Sequence, residues 1–144
     1  MAFRVSVAGV KIRSKQVGSQ QTNVSNVSDQ YLGMEDVSDG AFDKIAFEVK
    51  LTQASGSDES GKFFKLFWAF SSQQLSNPNQ APTLLQNSEY SLLCGLGDAT
   101  GGAITRHYMS DLVEPHGPYV YVWYDCDSLT NALTSVDVYL ILKH

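Results

Sequence analysis

The chain has 144 residues, 43% of them hydrophobic and 11% aromatic, enough for one ordinary domain that buries about two-thirds of its unfolded surface without staples. A net charge of −5 argues against a phosphate-binding face, since non-specific affinity for nucleic acid needs clustered Lys and Arg, so no nucleic-acid partner is expected. Charged residues make up only 17%; Ser, Thr, Asn and Gln carry the surface, which suits a protein packed against neighbours because fewer ions lose water at an interface.

At the N-terminus, the run AFRVSVAGVKI alternates apolar with polar residues and lacks the continuous apolar core of a signal peptide, so synthesis in the cytoplasm is expected. Arg4, Lys11, Arg13 and Lys15 form at most a weak basic arm. The stretch 14–40 is dominated by Ser, Gln, Asn and Gly, with isolated apolar residues at Val17, Val24, Val27, Tyr31 and Leu32. Such sparse apolar residues do not repay the cost of ordering the backbone, about 1 to 2 kcal/mol per residue. The stretch reads as a long polar loop or extended arm ordered by another subunit, with Val17, Val24, Val27 and Tyr31 as its anchors.

The next segment, FDKIAFEVKLTQ, has period two, with Ile45, Phe47, Val49 and Leu51 on one face and Lys44, Glu48 and Lys50 on the other, which predicts a half-buried strand. After the Gly- and Ser-rich ASGSDESG, the run KFFKLFWAF is apolar on both faces. The pair reads as a hairpin whose second strand is buried on both sides or faces a partner. A loop containing Pro78 and Pro82 follows over 73–89.

From Tyr90 onward short apolar runs alternate with turn signals: YSLLCGL, GDATGG, AITRHYM, EPHGP, YVYVWYD and SVDVYLIL. This spacing leaves no room for crossover helices and predicts an antiparallel all-β sandwich of jelly-roll type, in one domain with little or no helix. SLTNALT after Asp127 allows one helical turn. In the last run Val136, Val138, Leu140 and Leu142 share one face, and Ser135, Asp137, Tyr139 and Lys143 the other.

No catalytic pattern is legible. GLGDATGG lacks the Lys and helix of a phosphate loop and reads as a hairpin turn. Carboxylate pairs such as Glu35 with Asp36 lie in polar loops. His107, Asp111, Glu114, His116, Asp125, Cys126 and Asp127 match no metal-ligand spacing, and Asp125 and Asp127 read as residues that close a strand. Cys94 and Cys126 form no C-x-x-C pattern and are expected as buried thiols. No cofactor, no metal and no membrane partner are expected, and no apolar run approaches the about 20 residues of a membrane helix.

The aromatic residues offer the best functional lead. Phe63, Phe67, Trp68, Tyr119, Tyr121, Trp123 and Tyr124 lie in two strands. With Val120, Val122 and Tyr124 inward, Tyr119, Tyr121 and Trp123 form an outer face that either belongs to an ordinary two-sided core or binds a protein partner. Trp68, Tyr121 and Trp123 are the alternative platforms for stacking on a sugar.

The C-terminal third combines a Pro/Gly turn at 115–118, an aromatic strand at 119–124, a short polar link and a terminal strand at 136–142. In this patterning it resembles the closing strands of jelly-roll capsid cement (decoration) or fibre proteins of tailed bacteriophages. The resemblance covers about a quarter of the chain. It implies a non-enzymatic homo-oligomer on the capsid exterior that clamps the major capsid protein or other virion subunits, with a carbohydrate- or receptor-binding module as the alternative.

Overall fold

In a computed structural model, residues 4–7, 10–38, 42–78 and 90–144 are described, and ten strands pair into two antiparallel sheets. Among the described residues there is no α-helix, and SLTNALT passes through bends into the last strand. The strands are β1 (Arg4–Val7), β2 (Val10–Gln16), β3 (Gln21–Val24), β4 (Val27–Asp36), β5 (Lys44–Gln53), β6 (Phe63–Ser71), β7 (Tyr90–Gly95), β8 (Ile104–Met109), β9 (Tyr119–Cys126) and β10 (Leu133–Lys143).

The first sheet runs β1-β2-β10-β5-β8, with β3 also paired to β10, and the second runs β4-β9-β6-β7. Strands β2 and β3 lie end to end along one edge of β10, Tyr139 facing Gln16 and Val136 facing Gln21. Between them the Val17 N–H donates to the Val138 carbonyl at 2.8 Å. Gly18 turns the chain at φ +62°, and a Cβ there would lie 2.6 Å from the Leu32 carbonyl oxygen, so only glycine fits.

Alternation dictates the core. Ile45, Phe47, Val49 and Leu51 of β5 and Val136, Val138 and Leu140 of β10 meet Phe64, Leu66 and Trp68 of β6 and Val120, Val122 and Tyr124 of β9 between the sheets.

Three expectations change. Over residues 14–38 the chain is not an arm: it supplies the end of β2, then β3 and β4, and Val17 and Val24 are buried in this chain's own core, while the part of that expectation at 39 and 40 lies outside the described residues. Backbone ladders to β10 and β9 order it, so its few apolar side chains need not do so alone. The strands β5 and β6 do not form a hairpin; they belong to different sheets, as do β7 and β8. The connections 54–62 and 96–103 instead cross between sheets side by side, joined by an Asp58–Asp98 bridge and by Gly56 N–H to Ala99 O at 2.9 Å.

One carboxylate fastens that end of the sandwich. Glu59, fully buried, accepts from the Ser57 hydroxyl, the Thr130 and Asn131 N–H groups and the Lys62 ammonium at 3.0 to 3.1 Å, linking the β5–β6 connection to the β9–β10 connection. Burial alone would raise its pKa, but these four donors hold it down at about 2.

Candidate functional site

The outer face of the second sheet carries the aromatic residues singled out from sequence. Val120, Val122 and Tyr124 do point inward, and Tyr119, Tyr121 and Trp123 outward. Over Tyr121 and Trp123 this outer face is closed by the chain itself, while Phe63 and Leu93 on its β6–β7 side stay exposed. Tyr121 is 1% exposed and Trp123 0% exposed. Leu75, with Tyr31 and Met34 of β4, packs over them and over Phe67 and Ala69. The cover is hydrogen-bonded: the Leu75 N–H donates to the Tyr121 hydroxyl at 2.6 Å, and the Trp123 indole donates to the Pro78 carbonyl at 3.2 Å.

The assignment of Tyr121 and Trp123 to a partner surface is therefore corrected, because their faces are spent on Phe67, Tyr31 and the 72–78 segment. Trp68 is corrected as well: it lies between the sheets, 4.7 Å from Phe47 in ring separation, and offers no platform to a sugar. Tyr119 keeps partial exposure at the rim of the cluster. Val17 and Val24 are core residues, Val27 packs against the core, and Tyr31 packs on Trp123 with ring centroids 6.3 Å apart.

The open site lies on the opposite side of the molecule. On the outer face of the first sheet Ile12, Ala46, Met109, Leu112, Tyr139 and Ile141 line a groove of about 520 Å³. Met109 and Leu112 are 58% and 40% exposed, two of the four large apolar side chains that stand open among the described residues. Pairing places these residues in rows across the strands: Glu48 opposite both Tyr139 and Met109, Ala46 opposite Ile141, which faces Ser14, and Lys44 opposite Lys143, which faces Ile12. The groove is thus apolar through its middle, acidic at the Glu48 end and basic at the Lys44 and Lys143 end. Among the described residues the ion pairs are Lys15 with Glu35 and Lys62 with Glu59, and none of them uses Glu48, Lys44 or Lys143. Alternation sets Tyr139 and Lys143 on the face of β10 opposite Val136, Val138 and Leu140, and Ile141 between them is the sign in the sequence that this face is apolar.

The two carboxylates at the end of β9 and the two thiols are committed to structure. Asp125 accepts from the Asp29 N–H at 2.7 Å, and Asp127 accepts from the Phe63 N–H at 2.8 Å, so both close strand ends as expected. Among the described residues no group of three His, Cys, Asp or Glu side chains converges. Cys94 and Cys126 are free and buried, as expected. Each pairs with Phe64 from opposite sides. They therefore lie two strand spacings apart, about 10 Å, beyond the about 7 Å Cα separation a disulfide tolerates. Burial pushes the Cys94 thiol up to about 12; burial, with Asp127 close by, pushes Cys126 up to about 11.

No protein-family model matches the chain, and no curated protein matches it. A solved structure to which the chain shows a distant likeness is described as "Bacillus endospore appendages form a novel family of disulfide-linked pili"; it is 12% identical, with 92% of this chain and 87% of that chain covered, at a TM-score of 0.37. A likeness at that score carries no argument about what this chain does. What the strands themselves define is the class: an all-β sandwich of two antiparallel sheets.

Proposed function

We propose that the chain is a non-catalytic structural subunit that works by docking to other protein subunits, of the kind that decorates and reinforces a virion shell by binding its major capsid protein. The observation that carries this reading is the groove between Ile12 and Leu112: an apolar surface left open in a molecule whose surface is otherwise mostly neutral and polar. The strand order is in keeping with it. With β2 and β3 counted as one interrupted strand and β1 set aside, the eight strands follow 1-8-3-6 in one sheet and 2-7-4-5 in the other, an order that supports reading the sandwich as a jelly roll. Buried protonated thiols and a carboxylate saturated by four donors further support a scaffold role for the groups that could otherwise react.

Gradient fractionation of lysates from cells that make the protein, with mass spectrometry of each fraction, tests the reading. The chain is expected in fixed ratio with a shell-forming subunit, in fractions far heavier than single chains. A chain found only in light fractions that also binds a glycan array would overturn it and favour the carbohydrate-binding alternative, which the burial of Trp68, Tyr121 and Trp123 leaves with little aromatic surface.

A further inference from the structure

We infer that the occupant of the first-sheet groove is a second copy of this chain, docked face to face about a two-fold axis that lies parallel to the sheet and crosses its strands at Ile141 and Ala46. The inference rests on the docking reading above and names the partner for this face.

The groove is self-complementary. A two-fold axis in that position turns the groove of one copy onto the groove of the other and reverses the strand direction. Whatever lies two residues to one side of the Ala46–Ile141 row is then set over whatever lies two residues to the other side. On β5 those positions are Glu48 and Lys44, and on β10 they are Tyr139 and Lys143. Glu48 of each copy therefore faces Lys44 of the other, with Lys143 on the adjoining strand. The two charged ends are four residues, about 13 Å, apart along the strand. Ile141 meets its own counterpart on the axis beside the small, buried Ala46, and at the β8 edge Met109, which lies opposite Glu48, is set over the Leu112 end of the other copy, next to the Ile45–Val113 bridge.

A translation of the second copy, or a rotation about an axis normal to the sheet, gives no such match. Face-to-face strands in this arrangement are aligned and antiparallel, which two twisted sheets accommodate at about 10 Å separation. An unrelated apolar partner would require no charge at both ends of the groove in this register, whereas a second copy uses both, twice. The charge pairs at the rim fix register and orientation, while the apolar middle supplies the attraction.

Sedimentation velocity on the full chain tests this. Wild type is expected to shift from monomer to dimer between about 10 μM and about 1 mM, the range suited to an interface smaller than the standard about 800 Å² per partner. Glu48→Lys, which sets three lysines against three, and the double variant Lys44→Glu with Lys143→Glu, which sets three carboxylates against three, are each expected to pair at least about tenfold more weakly. An equimolar mixture of the two variants is expected to recover dimers as a mixed pair. Near-UV circular dichroism of the buried Trp68 and Trp123 checks that each variant is folded.

Wild type that stays monomeric throughout overturns the inference, as does Glu48→Lys pairing as well as wild type, or a mixture of folded variants that stays monomeric. The two readings fail separately. A chain that is monomeric alone yet travels with a heavy particle loses this inference and keeps the docking reading. One that pairs by charge swap but joins no particle keeps the pairing and loses the shell role.

Discussion

Replacing Glu59 by Gln keeps the size of the side chain and removes its charge. The Gln oxygen can still accept one backbone N–H, but its amide turns a donor toward the other, so either Thr130 or Asn131 loses its partner, and Lys62 loses its counter-charge. A carboxyl held at about 2 instead of 4.5 corresponds to about 3 kcal/mol of stability in the ionised form. Lys62 is partly open to water, so its share is screened, and a loss of about 2 kcal/mol is expected at pH 7. Because the folded value lies below the unfolded one, this contribution is complete above pH 4.5 and is lost as pH falls towards about 2. Urea unfolding of wild type and Glu59→Gln through this range is the assay. The two midpoints should differ at pH 7 and converge as the wild-type carboxyl protonates, with no change in slope. Equal stability at pH 7, or a gap that persists undiminished near pH 2, would refute the reasoning.

Three further outcomes are expected. Hydrogen exchange on the dilute chain should show the Val17 amide, bonded to Val138 O, protected along with the paired amides of β3; exchange at the rate of an open coil would restore the arm reading. Gly18→Ala should cost about 2 kcal/mol or more in urea unfolding, because φ is positive and the new Cβ meets the Leu32 carbonyl; unchanged stability would mean that β2 and β4 do not approach there. At pH 8 an aromatic disulfide reagent should leave Cys94 and Cys126 unlabelled in the native chain and label both in urea, given thiols raised to about 12 and about 11. Rapid native labelling would contradict their burial.

Local order in this protein was set by the sequence wherever alternation ran unbroken. The strands β5 and β10 and their rows follow from period two, because each residue's face depends only on its neighbours along the chain, whereas β6, apolar on both faces, was legible as a strand but not in which face turns inward. The two lone cysteines and the inward Tyr124 were legible on the same ground. The arm reading of 14–40 failed for a local reason that tertiary structure created. Asn23, Asn26 and Asp29 all have positive φ, and the pairing of β4 with β9 shifts register between Val27 and Gln30 and again between Tyr31 and Gly33. Each irregularity turns the following side chains to the other face, so strands that are real show no alternation.

Partnership between elements was decided only in three dimensions. Nothing in the spacing of β5 and β6, or of β7 and β8, says whether the chain folds back within a sheet or crosses to the other one. The two crossing connections lie side by side, Glu59 fastens one of them to the β9–β10 connection, and no residue of either carries that information alone. The same holds for the two outer faces. Both show apolar residues in the sequence, but Leu75 and Tyr31 reach over Tyr121 and Trp123 and cover that part of one, while Met109, Leu112 and Ile141 remain open on the other. Which apolar surface is covered depends on where distant segments return, and that is a property of the fold and not of any strand.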